Sequence, residues 1–307
     1  MKISIRRIKP ADTNAAERLV MRTFNNLRKQ HNMPPIPYKP TRKPNSYFCH
    51  ILKTDPDLSY GAFVDGKMVA YASAHIRDGH WYLGHLFTDR KMQGQGLGYK
   101  LLKKVMKAPE GEEVHTHSLC TFAFNPHAVQ IYSRFGMCAH TLLPYYTLKC
   151  DKKKKVRKLP NEYQFKVVPI DDYEQIEILN KLDKDNRGIY RPEDHKFWID
   201  SDTAKGYIFY LKNKLIGYSM LIRDAVIAPV SVTNPKYLIP CLTEMINIWL
   251  STESKSDSVS LWVQGENHTV QEFLLNNKFK IMETEVLMTD RDFGRPECYL
   301  PAMLAMY

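Results

Sequence analysis

Residues 93 to 98, Gln-Gly-Gln-Gly-Leu-Gly, join two stretches of different character. Before them, Trp81 to Thr88 has the aromatic and β-branched content of a strand. After them, Leu97, Leu101, Leu102 and Val105 recur at helical spacing with lysines on the opposite face. A strand that turns through glycines into a helix aims several main-chain N–H groups, and the positive end of the helix dipole, at one point. Such a point holds phosphate. A Walker loop needs Lys-Ser or Lys-Thr after its last glycine, whereas Tyr99 and Lys100 follow Gly98, so the magnesium ligand is missing. A dinucleotide fingerprint needs Gly-x-Gly-x-x-Gly with an acidic residue downstream, and the even spacing of Gly94, Gly96 and Gly98 does not supply it. Two other groupings could do chemistry. His115 and His117 stand two apart and would face the same way on a strand, but no third metal ligand accompanies them, and no metal is expected. Cys120 with its neighbouring histidines offers a covalent nucleophile as an alternative.

The elements that must carry these groups occur twice. "KISIRRIKPADTNAAERLV" and "QFKVVPIDDYEQIEIL" both run from a strand through proline and acidic residues into a helix. "YGAFVDGKMVAYASAHIRD" and "GYIFYLKNKLIGYSMLIRD" both read as hairpins, turning at Asp65-Gly66 and at Lys212-Asn213. "NPHAVQIYSRFGM" and "NHTVQEFLLNNKFKI" share an asparagine, helical apolar spacing and a closing hydrophobe. The pattern predicts an α/β fold of two tandem domains, each a mixed, mostly antiparallel sheet flanked by helices, over residues 1–150 and 161–307. Residues 151–160, "DKKKKVRKLP", are expected to be a solvated basic linker. The Pro-rich stretch within residues 25–58 reads as irregular connection between helical pieces.

The length of 307 residues suits two cores, and 44% hydrophobic residues are enough to fill them. The first twenty residues carry charges throughout and lack a leader's apolar core. The longest run without Asp, Glu, Lys or Arg, Val114 to Ser133, holds histidines, Asn125 and Pro126, which a bilayer would not accept. Six cysteines without a regular spacing point to a reducing cytoplasm rather than a disulfide framework. The net charge of +11 favours polyanionic partners, yet the basic run has no interleaved aromatics, so nucleic acid is not the expected one.

Gln93, Gly96 and Gly98 also satisfy Gln/Arg-x-x-Gly-x-Gly, and Asn125, Ala128, Tyr132, Gly136 and Met137 satisfy Asn-x-x-Ala-x-x-x-Tyr-x-x-x-Gly-hydrophobe. With both signatures in this order, the chain resembles the GNAT superfamily of acyl-coenzyme A dependent N-acetyltransferases, over residues 1–150 and more faintly over 160–307. The resemblance implies direct acetyl transfer from acetyl-CoA to an amine in a ternary complex, without a metal. It implies that main-chain amides of Gln93, Gly94, Gln95, Gly96, Leu97 and Gly98 cradle the pyrophosphate. Leu86, Phe87 and Thr88 would present main-chain groups to the pantetheine arm, as to an added strand. Tyr132 would protonate the departing thiolate or, on its own residue type, simply pack on a helix. Asn125 would orient the cofactor arm or cap the helix begun by Pro126. The family often places a general base near the start of the strand before the loop, which falls on His80. His85, of opposite parity by simple alternation unless a bulge intervenes, is the rival, and a bound water or a residue outside this strand is the third choice.

In the second half the corresponding strand runs into its helix through Pro235 and Lys236, with no glycine loop. The counterpart of Tyr132 is Phe273 or Leu274, depending on a one-residue choice of register. That half is expected to be a degenerate repeat without a cofactor of its own. The acceptor is expected to be a small-molecule or peptide amine, and the alternative reading of the chain is a non-catalytic acyl-CoA sensor or interaction module.

Overall fold

A computed structural model of the chain describes residues 2–40, 46–150, 158–252 and 256–307. Most of the basic run, residues 151–157, lies outside the described residues. Two compact units are found, Met1–Leu119 and Cys120–Tyr307. Among the described residues no helix is long and apolar enough to cross a membrane.

The first unit is built on β1 (Ile3–Arg7), β2 (Ser59–Val64), β3 (Lys67–Arg77), β4 (His80–Thr88) and the start of β5 (Thr116–Phe122), in that order across the sheet. Neighbours run antiparallel except β4 and β5, which are parallel. Its helices are α1 (Thr13–Gln30), α2 (Ser46–Thr54) and α3 (Leu97–Val105). The β2–β3 turn places Asp65 and Gly66 at φ of 47° and 75°, and this left-handed pair matches the twist of the flanking strands. The irregular stretch after α1 is tied to that helix: Asn25 exchanges two hydrogen bonds with the main chain of Ile36, and Arg28 Nε donates to Pro34 O at 2.7 Å.

The second unit contains α4 (Pro126–Ser133), β6 (Cys138–Lys149), β7 (Lys166–Ile170), α5 (Ile176–Arg187), α6 (Pro192–Ile199), β8 (Ala204–Leu211) and β9 (Lys214–Ile222). It continues through β10 (Val226–Val232), α7 (Leu238–Ser251), β11 (Ser258–Trp262), α8 (His268–Asn276), β12 (Lys280–Thr289) and β13 (Tyr299–Leu300). Its sheet order is β12-β6-β11-β10-β9-β8-β7, with β13 added to β10. The β8–β9 hairpin turns at Lys212-Asn213, again with both residues at positive φ. The core packs α7 on β9 and β10 around Trp249, Met245, Leu242 and Ile227.

β6 ends the first sequence repeat but pairs on both sides within the second unit. It meets β12 from Cys138↔Thr289 to Thr147↔Lys280, and β11 from Tyr145↔Trp262 to Lys149↔Ser258. The last strand of the first sequence repeat thus lies between two strands of the second. Sequence repeats, counted as 1–150 and 161–307, and compact units divided after Leu119 are therefore different divisions of one chain. After the basic run, Leu159 exchanges two main-chain hydrogen bonds with the Asn247 side chain on α7.

Candidate functional site

The first unit's site is assembled on β4. Cross-strand pairs sort its side chains onto two faces: Trp81↔Ile76 and Leu83↔Ala74 on one, His80↔Arg77 and Tyr82↔His75 on the other. The first face lies under α3, where Trp81 Nε1 donates to Val105 O at 2.8 Å. Between Leu83 and His85 the ladder slips by one residue, since Ala74 faces Leu83 while Ser73 faces His85, leaving Gly84 as the extra residue of a bulge. The bulge reverses the parity expected from alternation, and His80 and His85 share a face. Gly84 inside an aromatic-rich strand was the available signal for it.

The two histidines sit in different surroundings. His80 is buried and its Nε2 shares a short hydrogen bond with the Ser118 hydroxyl on β5. His85 pairs through Nδ1 with Ser73 Oγ at 3.1 Å and stacks on Phe48 at 4.8 Å, with Tyr47, Tyr71 and Phe87 around it. Burial, assisted by His75, pushes its pKa down to about 3. It is therefore a neutral, weakly basic imidazole at ordinary pH. Ser118 and Ser73 were not singled out in the sequence, because a lone serine in a strand carries no signature.

β4 is paired with β5 only from His80↔Thr116 to Leu83↔Leu119. Beyond that point His85, Leu86, Phe87 and Thr88 keep β3 on one side and, among the described residues, have no ladder partner on the other. The strand's free edge leads into a short turn, Arg90–Met92, where Asp89 caps Lys91 N–H, and then into the glycine loop. Gln93 Nε2 donates back to Thr88 O at 3.2 Å. Gly94 and Gly96 have φ of 76° and 73°, a left-handed region costly to residues with a Cβ, and Gly96 is the N-cap of α3. Among the described residues, the N–H groups of Gly94, Gln95, Gly96, Leu97 and Gly98 have no acceptor. Leu97, Leu101, Leu102 and Val105 are buried beneath them and hold the helix on the sheet, each such side chain contributing about 1.5–3 kcal/mol. This cluster of free donors, exposed above a rigid support, fits a diphosphate.

Asn125 and Tyr132 lie on α4, in the second unit. Asn125 caps the helix, its Oδ1 accepting from Ala128 N at 3.3 Å. Tyr132 is buried, and burial followed by the charge of Glu285 raises its pKa far above the ordinary phenol value. Its hydroxyl makes no hydrogen bond among the described residues. Met137 N donates to Tyr132 O, closing the helix at Gly136, which has φ of 85°. His115 precedes β5 and His117 packs on Trp81 at 5.4 Å, and among the described residues no group of three potential metal ligands forms.

The second repeat shows what became of the same parts. Asn234 caps Lys236 as Asp89 caps Lys91, but the turn Pro235–Tyr237 enters α7 at once, so residues 93–96 have no counterpart. The bulge is retained in β10, between Ile227 and Val230, and includes Pro229, which has no N–H. Phe279 N donates to Leu274 O as Met137 N donates to Tyr132 O, which settles the register: Leu274, fully buried, stands where Tyr132 does. The edge of β10 past the bulge is occupied. β13 pairs with it through Val230↔Leu300 and Ser231↔Tyr299.

The sequence profile of the Acetyltransferase (GNAT) family matches residues 24–137. A spermine/spermidine N(1)-acetyltransferase of Bacillus subtilis (strain 168) is 30% identical over 97 residues, 29% of this chain and 60% of that protein. The matching part thus spans about 60% of that relative's length. Over the whole chain, a putative acetyltransferase of Pyrococcus horikoshii has the same fold, with a TM-score of 0.73, 15% identity and coverage of 99% of this chain and 96% of that one. A tandem GNAT protein from the clavulanic acid biosynthesis pathway covers 94% of this chain and 98% of its own, with a TM-score of 0.61 and 13% identity. The tandem α/β architecture expected from the repeats is the one observed.

Proposed function

We propose that this chain, whose residues 24–137 match the GNAT acetyltransferase profile and whose fold matches that of a tandem GNAT protein, is an N-acetyltransferase moving an acetyl group from acetyl-CoA to a primary amine. The observation that carries this reading is the run of acceptor-free N–H groups from Gly94 to Gly98 at the end of a strand whose edge is open. The diphosphate of the cosubstrate would be held by those N–H groups and by the dipole of α3, and its pantetheine arm by the main chain of Leu86, Phe87 and Thr88. The cosubstrate supplies a thioester, whose carbonyl carbon accepts the amine nitrogen as the carbon–sulfur bond breaks.

The chain's own groups move the protons. His80 takes the proton that the amine must lose, with Ser118 fixing its ring; His85, whose pKa burial pushes down to about 3, is too weak a base for the task. Tyr132 gives a proton to the departing thiolate. Its raised pKa keeps it protonated at ordinary pH, and its hydroxyl has no competing acceptor among the described residues. Asn125 orders the start of α4 and so the position of Tyr132 one to two turns on. The B. subtilis relative is named for spermine and spermidine, which makes an aliphatic polyamine the first acceptor to try.

Calorimetry with acetyl-CoA, followed by thiol release over a panel of aliphatic polyamines, amino sugars and peptide amino termini, tests the reading. The expected result is saturable binding with turnover on at least one amine. Binding without turnover on any would favour an acyl-CoA sensor, and no binding would remove the proposal.

A further inference from the structure

The second repeat, having lost one groove, encloses another. Beside β13 lies a cleft, open to solvent, whose wall includes Arg187, Arg295, Phe293, Tyr299 and Tyr307. Arg187, at the end of α5, is only 3% exposed, and its guanidinium lies over the rings of Tyr299 at 4.9 Å and Tyr307 at 5.4 Å. Nη2 donates to the main-chain oxygen of Tyr307. Nε is buried and has no acceptor among the described residues. A buried cationic donor left without an acceptor is costly, and the cost falls when an anion meets it. The other charges of the wall are engaged: Arg295 Nε holds Glu297 at 3.2 Å, and Glu266 accepts from the Thr141 hydroxyl at 2.7 Å. Arg187 is thus the group placed to meet a ligand, and the rings around it supply flat apolar walls.

We propose that this cleft binds a small organic carboxylate with an aromatic or flat apolar body, the carboxylate on Arg187 and the body against Phe293 and Tyr299. A guanidinium fork matches a carboxylate in two parallel hydrogen bonds, and aromatic walls favour a flat ligand over an inorganic anion. None of its lining residues belongs to the glycine loop, and its test reads binding alone.

The full chain is titrated calorimetrically with benzoate and with benzamide, its uncharged isostere. Benzoate is expected to bind with one site per chain and at least roughly tenfold more tightly than benzamide, the difference an ionic hydrogen-bonded pair supplies. Arg187→Met is expected to weaken benzoate by at least roughly tenfold and to leave benzamide nearly unchanged. Because Arg187 also ties down Tyr307, the variant is checked by thermal melting. Phe293→Ala, in a loop outside the ladders, provides a second arm and is expected to weaken both ligands about threefold through lost apolar contact. Equal binding of the two ligands, benzoate affinity indifferent to both substitutions, or no benzoate binding at about 10 mM would each overturn the proposal.

Discussion

The edge of β4 past Gly84 and the edge of β10 past Pro229 are the same place in two copies of one fold. Each follows a bulge in the same strand, and each leads into a capped turn and a helix. The first is open and ends in the glycine loop; the second is covered by β13 and has no loop. A free strand edge exposes main-chain donors and acceptors that must find partners in water, ligand or protein. The difference teaches that the same strand edge can be completed by the chain itself in one copy and left without a ladder partner in the other. Where the chain's own Tyr299 and Leu300 supply the ladder, those main-chain groups of β10 already have partners.

The most severe way to test the comparison is to make the first copy like the second. Deleting residues 93–96 is expected to weaken acetyl-CoA binding by a hundredfold or more, about 3 kcal/mol, read by calorimetry on a variant whose melting shows that it still folds. Retained affinity would mean that the amides of the loop are not what holds the cosubstrate. Next in size, Leu300→Ala in the fully buried β13 should cost roughly 2–5 kcal/mol in urea denaturation. The variant should still not bind acetyl-CoA in the second repeat, because uncovering β10 restores neither the loop nor the N–H that Pro229 lacks. Tyr132→Phe, which removes the hydroxyl that Leu274 also lacks, is expected to lower kcat about a hundredfold with little change in KM for acetyl-CoA. Unchanged turnover would take the acid role from it.

The smallest effect concerns His85, whose place in the second copy is taken by Val230, opposite Ser219 as His85 is opposite Ser73. Its folded pKa is lowered to about 3 from 6.5. Between those values the unfolded chain binds a proton that the folded chain does not, so stability falls as pH falls. The loss from this one group is about 1.4 kcal/mol per pH unit at most across pH 6.5 to 3. His85→Val should flatten that part of the denaturation profile relative to the native chain; an identical slope would show that other groups set it.

Much of this was legible from particular residues. Asp65-Gly66 and Lys212-Asn213 announced matched hairpins because a two-residue turn between twisted strands requires left-handed backbone. The glycine loop and the Asn125–Met137 signature announced the loop before α3 and the cap of α4 because their geometry is local: a nest needs adjacent amides, and a helix cap needs its own asparagine. The choice between Phe273 and Leu274 could not be made from spacing alone, and the hydrogen bond from Phe279 to Leu274 decided it. The parity of His80 and His85 likewise waited on the bulge.

By itself, then, the sequence determined the repeat, the elements and the loop, since each depends on neighbours a few residues apart. Only the tertiary structure decided which strand lies beside which: β6 between β12 and β11, and β13 on the edge of β10. Strand edges offer the same main-chain groups whatever their side chains, so no residue type marks the partner, and the pairing is settled only when the whole second unit packs.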